Sequence, residues 1–171
     1  MNTTSKALIA IAALMTIGLL AIAPVSAQQL VITSDITPSL TFTIDETAIT
    51  FPLTVVGVNS MTATNLVSAT SNGNYQIKAR DLDSAPGTAG HMRAFTPPDV
   101  LGVALTNPLQ MSADGTTFVS LSGADQTLYS GTPGAFSHAI GLKQTTTISD
   151  AVLPSGTHYT LAAVVTASAT P

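Results

Sequence analysis

The residues able to do chemistry are few: nine carboxylates, three histidines and a handful of cations among 171 residues. The carboxylates are Asp35, Asp45, Glu46, Asp81, Asp83, Asp99, Asp114, Asp125 and Asp150. Acid–base hydrolysis needs two of them held a few ångströms apart in a cleft, and no motif in the chain pairs any two. Most lie in turn-like stretches, where an Asp side chain bonds nearby backbone amides. The "DLD" stretch, Asp81 and Asp83, with Asp99 nearby, offers oxygen ligands of the kind Ca²⁺ takes. "DLDSAPGTAG" nevertheless lacks the regular ligand ladder of a calcium loop, so the expectation is no cofactor, with Ca²⁺ as the secondary reading. His91, His138 and His158 show neither H-x-x-x-H nor H-x-H spacing, and no pre-assembled zinc site is expected. There is no G-x-S-x-G elbow, and "GTPG" lacks the lysine and following helix of a phosphate loop. The expectation is a chain that is not an enzyme.

Lys78, Arg80 and Arg93 form a possible polymer-contact patch. Such a patch would meet an anionic wall polymer, whereas charges on the outer face of a strand more often only solvate it. Tyr159, three residues after Gly156, has the placement of a tyrosine whose ring packs inward while its hydroxyl bonds upstream backbone. The eight aromatic residues, none a Trp, fall mostly on apolar strand faces, which weakens a sugar-stacking role.

The elements that must position these groups are strands. Hydrophobic side chains recur at every second position, and no window sustains a helical period. In "SLTFTID" Leu40, Phe42 and Ile44 share one face, and "AITFPLTV" repeats the device with Ile49, Phe51, Leu53 and Val55. Pro52 cannot donate to a ladder, so that second strand is expected at an edge or a bulge. "NYQIKARD" alternates Tyr75, Ile77 and Ala79 with Gln76, Lys78 and Arg80 behind the turn signal "SNGN". "DLDSAPGTAGHMRAFTPPD" reads as the longest loop, and the finish from Tyr159 to Ala169 as one unbroken strand. The expectation is an all-β, two-sheet antiparallel sandwich of Greek-key, immunoglobulin-like form with about eight strands.

Ahead of that domain, Lys6 precedes an uncharged run from Ala7 to Ala23, then Pro24 and the small residues of "VSA". This predicts a helical signal peptide over 1–27, cut after Ala27, and a single domain over 28–171, with a retained membrane anchor as the competing reading. The 28–171 portion carries Lys78, Arg80, Arg93 and Lys143 against nine acidic residues, which disfavours nucleic acid. With no cysteine, stability has to come from packing, and thiolate metal sites are excluded.

The order "ITPSLTFTID", "SNGNYQIKARD", "IGLKQ" and "LPSGTHYTLAAVVTAS" resembles secreted prokaryotic surface sandwiches of the WxL-like, spore-coat-U or fimbrial-subunit type, without the Trp motif. The resemblance implies a fold and a cell-surface location. Together with the leader and the missing motifs it gives the expected function: a non-catalytic secreted structural protein, either an envelope-associated domain or a subunit of a fimbria-like filament. The alternative is an extracellular module binding glycan or cell-wall polymer. Its expected partners are itself, as a homopolymer built by strand addition, or envelope components. Nucleic acid and a stable membrane span after processing are not expected.

Overall fold

Eleven strands and no helix make up the described part of the chain. The computed structural model describes residues 39–45, 48–54, 56–96 and 99–170. The leader over 1–27, its cut after Ala27, and Asp35, Glu46 and Val55 lie outside them.

All the ladders are antiparallel, and they form three sheets. The first holds β1 (Leu40–Ile44), β2 (Gly57–Ser71), β9 (Gly134–Thr146), β6 (Gln110–Ser112) and β7 (Val119–Ser120), in that spatial order. The second runs β10 (His158–Thr160), β4 (Arg93–Thr96), β5 (Asp99–Ala104), and the third β11 (Ala163–Ala169), β3 (Tyr75–Asp81), β8 (Gln126–Gly131). The chain changes sheet at "SNGN", between β2 and β3, and again between β8 and β9, so sequence neighbours are often not ladder partners.

Alternation explains these strands residue by residue. Tyr75, Ile77 and Ala79 are buried while Gln76, Lys78 and Arg80 lie half-exposed between them, and in β1 Leu40, Phe42 and Ile44 alternate with exposed Thr41 and Thr43. One hydrophobic cluster takes Val67, Ala69, Phe136, Ile140 and Leu142 from the first sheet and Tyr75, Ile77, Ala79 and Leu128 from the third. Tyr129 and Phe136 bring their ring centroids to 4.1 Å, and Tyr75 stands 6.2 Å from Tyr129, so aromatic side chains from both sheets meet inside.

Four expectations need correction. The described strands form three sheets where two were expected, because β4 and β5 pair with β10 and with neither of the other sheets. Eleven strands replace about eight: the long loop read over 81–99 contains β4, which Arg93–Thr96 forms by pairing with β10 and β5, and Gly57–Ser71, where no strand was expected, forms the 15-residue β2. The final strand is two strands. Tyr159 pairs with Ala94 in the second sheet, and after Leu161 and Ala162 the chain enters the third sheet opposite β3. Residues 48–54, expected to be a strand, are extended with the expected alternation but join no ladder. In each case the ladder was decided by which edge lay alongside, and the chain's own pattern does not contain that information.

Candidate functional site

A cleft of about 1020 Å³ is walled by elements of different sheets. Its floor carries Met111, Ile140 and Leu142 of the first sheet, and Tyr159, Ala163 and Val165 come from β10 and β11 opposite. Ile44, the last residue of β1, stands at one side. Beyond Leu142 on the same face of β9 comes Gln144, fully buried and opposite Asn59 of β2. Gln144 Nε2 donates to the Asn107 carbonyl at 2.9 Å, and its Oε1 has no hydrogen-bond partner among the described residues.

Residues 48–54 run along the cleft. Ile49, Phe51 and Leu53 are half-buried against the core, while Ala48, Thr50, Pro52 and Thr54 are exposed. The rim is unusually apolar for a surface. Val152 is 99% exposed, Val56 71%, and Ile148, beside rim-lining Thr147, 94%.

The rim is held by polar groups that satisfy one another. The Asp150 carboxylate accepts from the Thr147 N–H at 2.6 Å, and from the Thr106 N–H and Oγ1 at 2.7 Å each. Burial acts to raise the Asp150 pKa, but these hydrogen bonds outweigh it and hold the carboxyl below the usual range. The Tyr159 hydroxyl donates to the Ala151 carbonyl at 2.8 Å, the upstream backbone bond expected from its place in the sequence. Desolvation, and then the Asp150 charge, push that phenol upward. His158 is exposed, with its ring edge-on to Phe95 at 5.4 Å. What the cleft offers a ligand is therefore apolar surface, since Asp150 and Tyr159 are already engaged.

The cations expected to form a patch are divided between two sheets. Lys78 and Arg80 share the half-exposed face of β3, with Arg80 Nε 3.6 Å from Asp125, whereas Arg93 lies in β4 with its guanidinium 3.2 Å from Asp83. A smaller hollow of about 350 Å³ holds Arg93, His91, Asp81 and Asp83. Its carboxylates are engaged with backbone. Asp81 accepts from the Gly90 N–H at 2.8 Å and the Asp83 N–H at 3.1 Å, and Asp83 accepts from the Ala85 N–H at 3.0 Å and Thr88 Oγ1 at 3.0 Å. The Ala85 amide, then Thr88 and Arg93, hold the Asp83 carboxyl below its ordinary value. These two residues act as caps of the 82–92 loop, and among the described residues no three of His, Asp and Glu converge as a metal site would require. His91 Nδ1 lies 2.7 Å from the Leu105 carbonyl.

Sequence reasoning missed the cleft. Its signal was present in the alternation of Ile49, Phe51 and Leu53, which looks the same whether the backbone is laddered or not. None of the eight aromatic side chains is fully exposed. Comparison with family models, curated proteins and solved structures finds no match.

Proposed function

We propose that the chain is a non-catalytic structural protein of the cell surface, a Greek-key, immunoglobulin-like sandwich that serves as a subunit of a fimbria-like filament. Subunits join by strand addition: an extended segment of a second copy lies along the cleft, and its alternate apolar side chains enter it. The observation that carries this reading is the open apolar cleft itself. It is bordered by Ile44 of β1 and Val165 of β11, and both strands stand at the ends of their sheets among the described residues. An end strand presents unpaired backbone groups on one side, and a cleft beside it supplies pockets for every second side chain. The chain also contains a segment with the matching period, residues 28–36, "QQLVITSDI", with Leu30, Ile32 and Ile36 at positions of one parity.

Export fits the uncharged run behind Lys6, and the low charged fraction, 8%, suits packing between copies. No helix among the described residues is long and apolar enough to cross a membrane. The test is size-exclusion chromatography with negative-stain microscopy of the purified protein across concentration. Linear polymers that shorten on addition of excess 28–36 peptide are expected. Monomers at every concentration, with no peptide bound, would end the filament reading.

The second reading, a glycan or wall-polymer module, draws on the Lys78/Arg80 face of β3. It predicts that a Lys78→Ala, Arg80→Ala double variant loses retention on cell-wall preparations. The pairing of Arg80 with Asp125 and the lack of exposed aromatics favour the filament reading over it.

A further inference from the structure

The segment over 48–54 has the side-chain alternation of a strand without its ladder. The β1–β2 ladder ends at Ile44↔Val67, and the chain returns to β2 only at Gly57, whose φ of 117° is open to glycine but rarely to other residues. Between those points Ile49, Phe51 and Leu53 face the core at every second position, as the side chains of a laddered strand would. Yet none of residues 48–54 joins a ladder. The Thr54 N–H donates to Asn59 Oδ1 at 3.0 Å, and Pro52 has no N–H to give. Among the described residues, three half-buried side chains and the Thr54–Asn59 bond hold the segment down. A region held in this way opens at a small fraction of the global unfolding free energy.

We propose that residues 48–54 are a resident strap, an internal competitor that forms one wall of the cleft in the free subunit and is displaced when a strand from a second copy arrives. The proposal rests on the strand-acceptor reading and adds its regulation. The strap covers apolar surface that would otherwise drive indiscriminate association. It is also beatable, because an incoming strand offers apolar side chains at the same period together with backbone donors that can enter a ladder with an edge strand. Exchange is then favourable through differential contacts with the two states. Before exchange, the apparent affinity for an incoming strand is the intrinsic affinity multiplied by the fraction of molecules with the strap displaced.

The test exploits the absence of tryptophan from the chain. In the purified full chain, Phe51→Trp places a single indole in the strap, and a synthetic peptide of residues 28–36 is the probe, with a scrambled peptide as control. Saturating peptide is expected to shift the indole emission to the red as the strap leaves the cleft. A Phe51→Ser, Leu53→Ser double variant, whose strap has lost two of its three anchors, is expected to bind the peptide about tenfold more tightly than the parent. Circular dichroism checks that this variant still folds; where it does not, the indole readout decides alone. Peptide bound with unchanged emission, or bound more weakly by the double variant, overturns the strap and leaves the acceptor cleft standing. No peptide bound by any of the proteins overturns both.

Discussion

Two parts of the same core differ in how their apolar side chains are held. On one side Tyr75, Ile77 and Ala79 of β3 are almost wholly buried between β8 and β11, and each belongs to a ladder. On the other, Ile49, Phe51 and Leu53 of the strap show the same alternation but remain half-buried and unladdered over an open cleft. The same local pattern thus gives a closed wall where backbone partners exist on both sides, and a removable cover where they do not. Hydrogen bonding, which hydropathy does not record, separates structure from candidate function here.

A Cβ at Gly90 would stand 2.0 Å from the Leu121 carbonyl oxygen, at a φ of 84°, so Gly90→Ala is expected to cost more than about 3 kcal/mol in urea unfolding. Gly156 has nearly the same φ, 83°, but nothing within 4 Å of its Cβ position, and Gly156→Ala should cost only about 1 kcal/mol. Next comes the direct pair. Ile77→Ala, at a residue with no exposed surface, should lose about 3 kcal/mol, and Phe51→Ala about 1 kcal/mol despite the larger side chain. Equal losses would mean that the strap is as firmly built in as β3.

Acid acts on the cleft rim through Asp150. Because the folded Asp150 pKa is depressed, its contribution to stability is complete above the unfolded carboxylate value and is lost as pH falls through the folded one. Asp150→Asn should therefore cost about 1 kcal/mol at pH 7 and flatten the decline in thermal stability below about pH 4. Smallest is Val152→Ser, at a 99% exposed side chain, which should leave stability within about 0.5 kcal/mol while weakening self-association measured by sedimentation.

Much of the architecture was legible in the residues because strand formation leaves a local trace. The faces of β1 and β3 follow from alternation alone, and the turns at Asp114-Gly115 and Pro154-Ser155-Gly156 fall between strands as their composition requires. The Tyr159 bond to Ala151 was legible as well, since it depends on a turn and a strand start close in sequence. The break at Leu161 and Ala162 was not. Those residues sit within an apolar run that would continue a strand, and it is β4 and β3, far away in the chain, that claim its two halves for different sheets. The division of the three cations between two sheets was not legible either: residues 78, 80 and 93 are near in number, but Arg93 belongs to another sheet and pairs with Asp83.

By itself the sequence determined that this chain is built from antiparallel strands, with particular residues facing inward, and that its chemistry-bearing groups form no recognisable motif. Only the tertiary structure decided which extended segments found backbone partners and which one, over 48–54, was left lying on a cleft. Side-chain alternation is written in neighbouring residues, whereas a ladder needs an edge supplied from elsewhere in the chain.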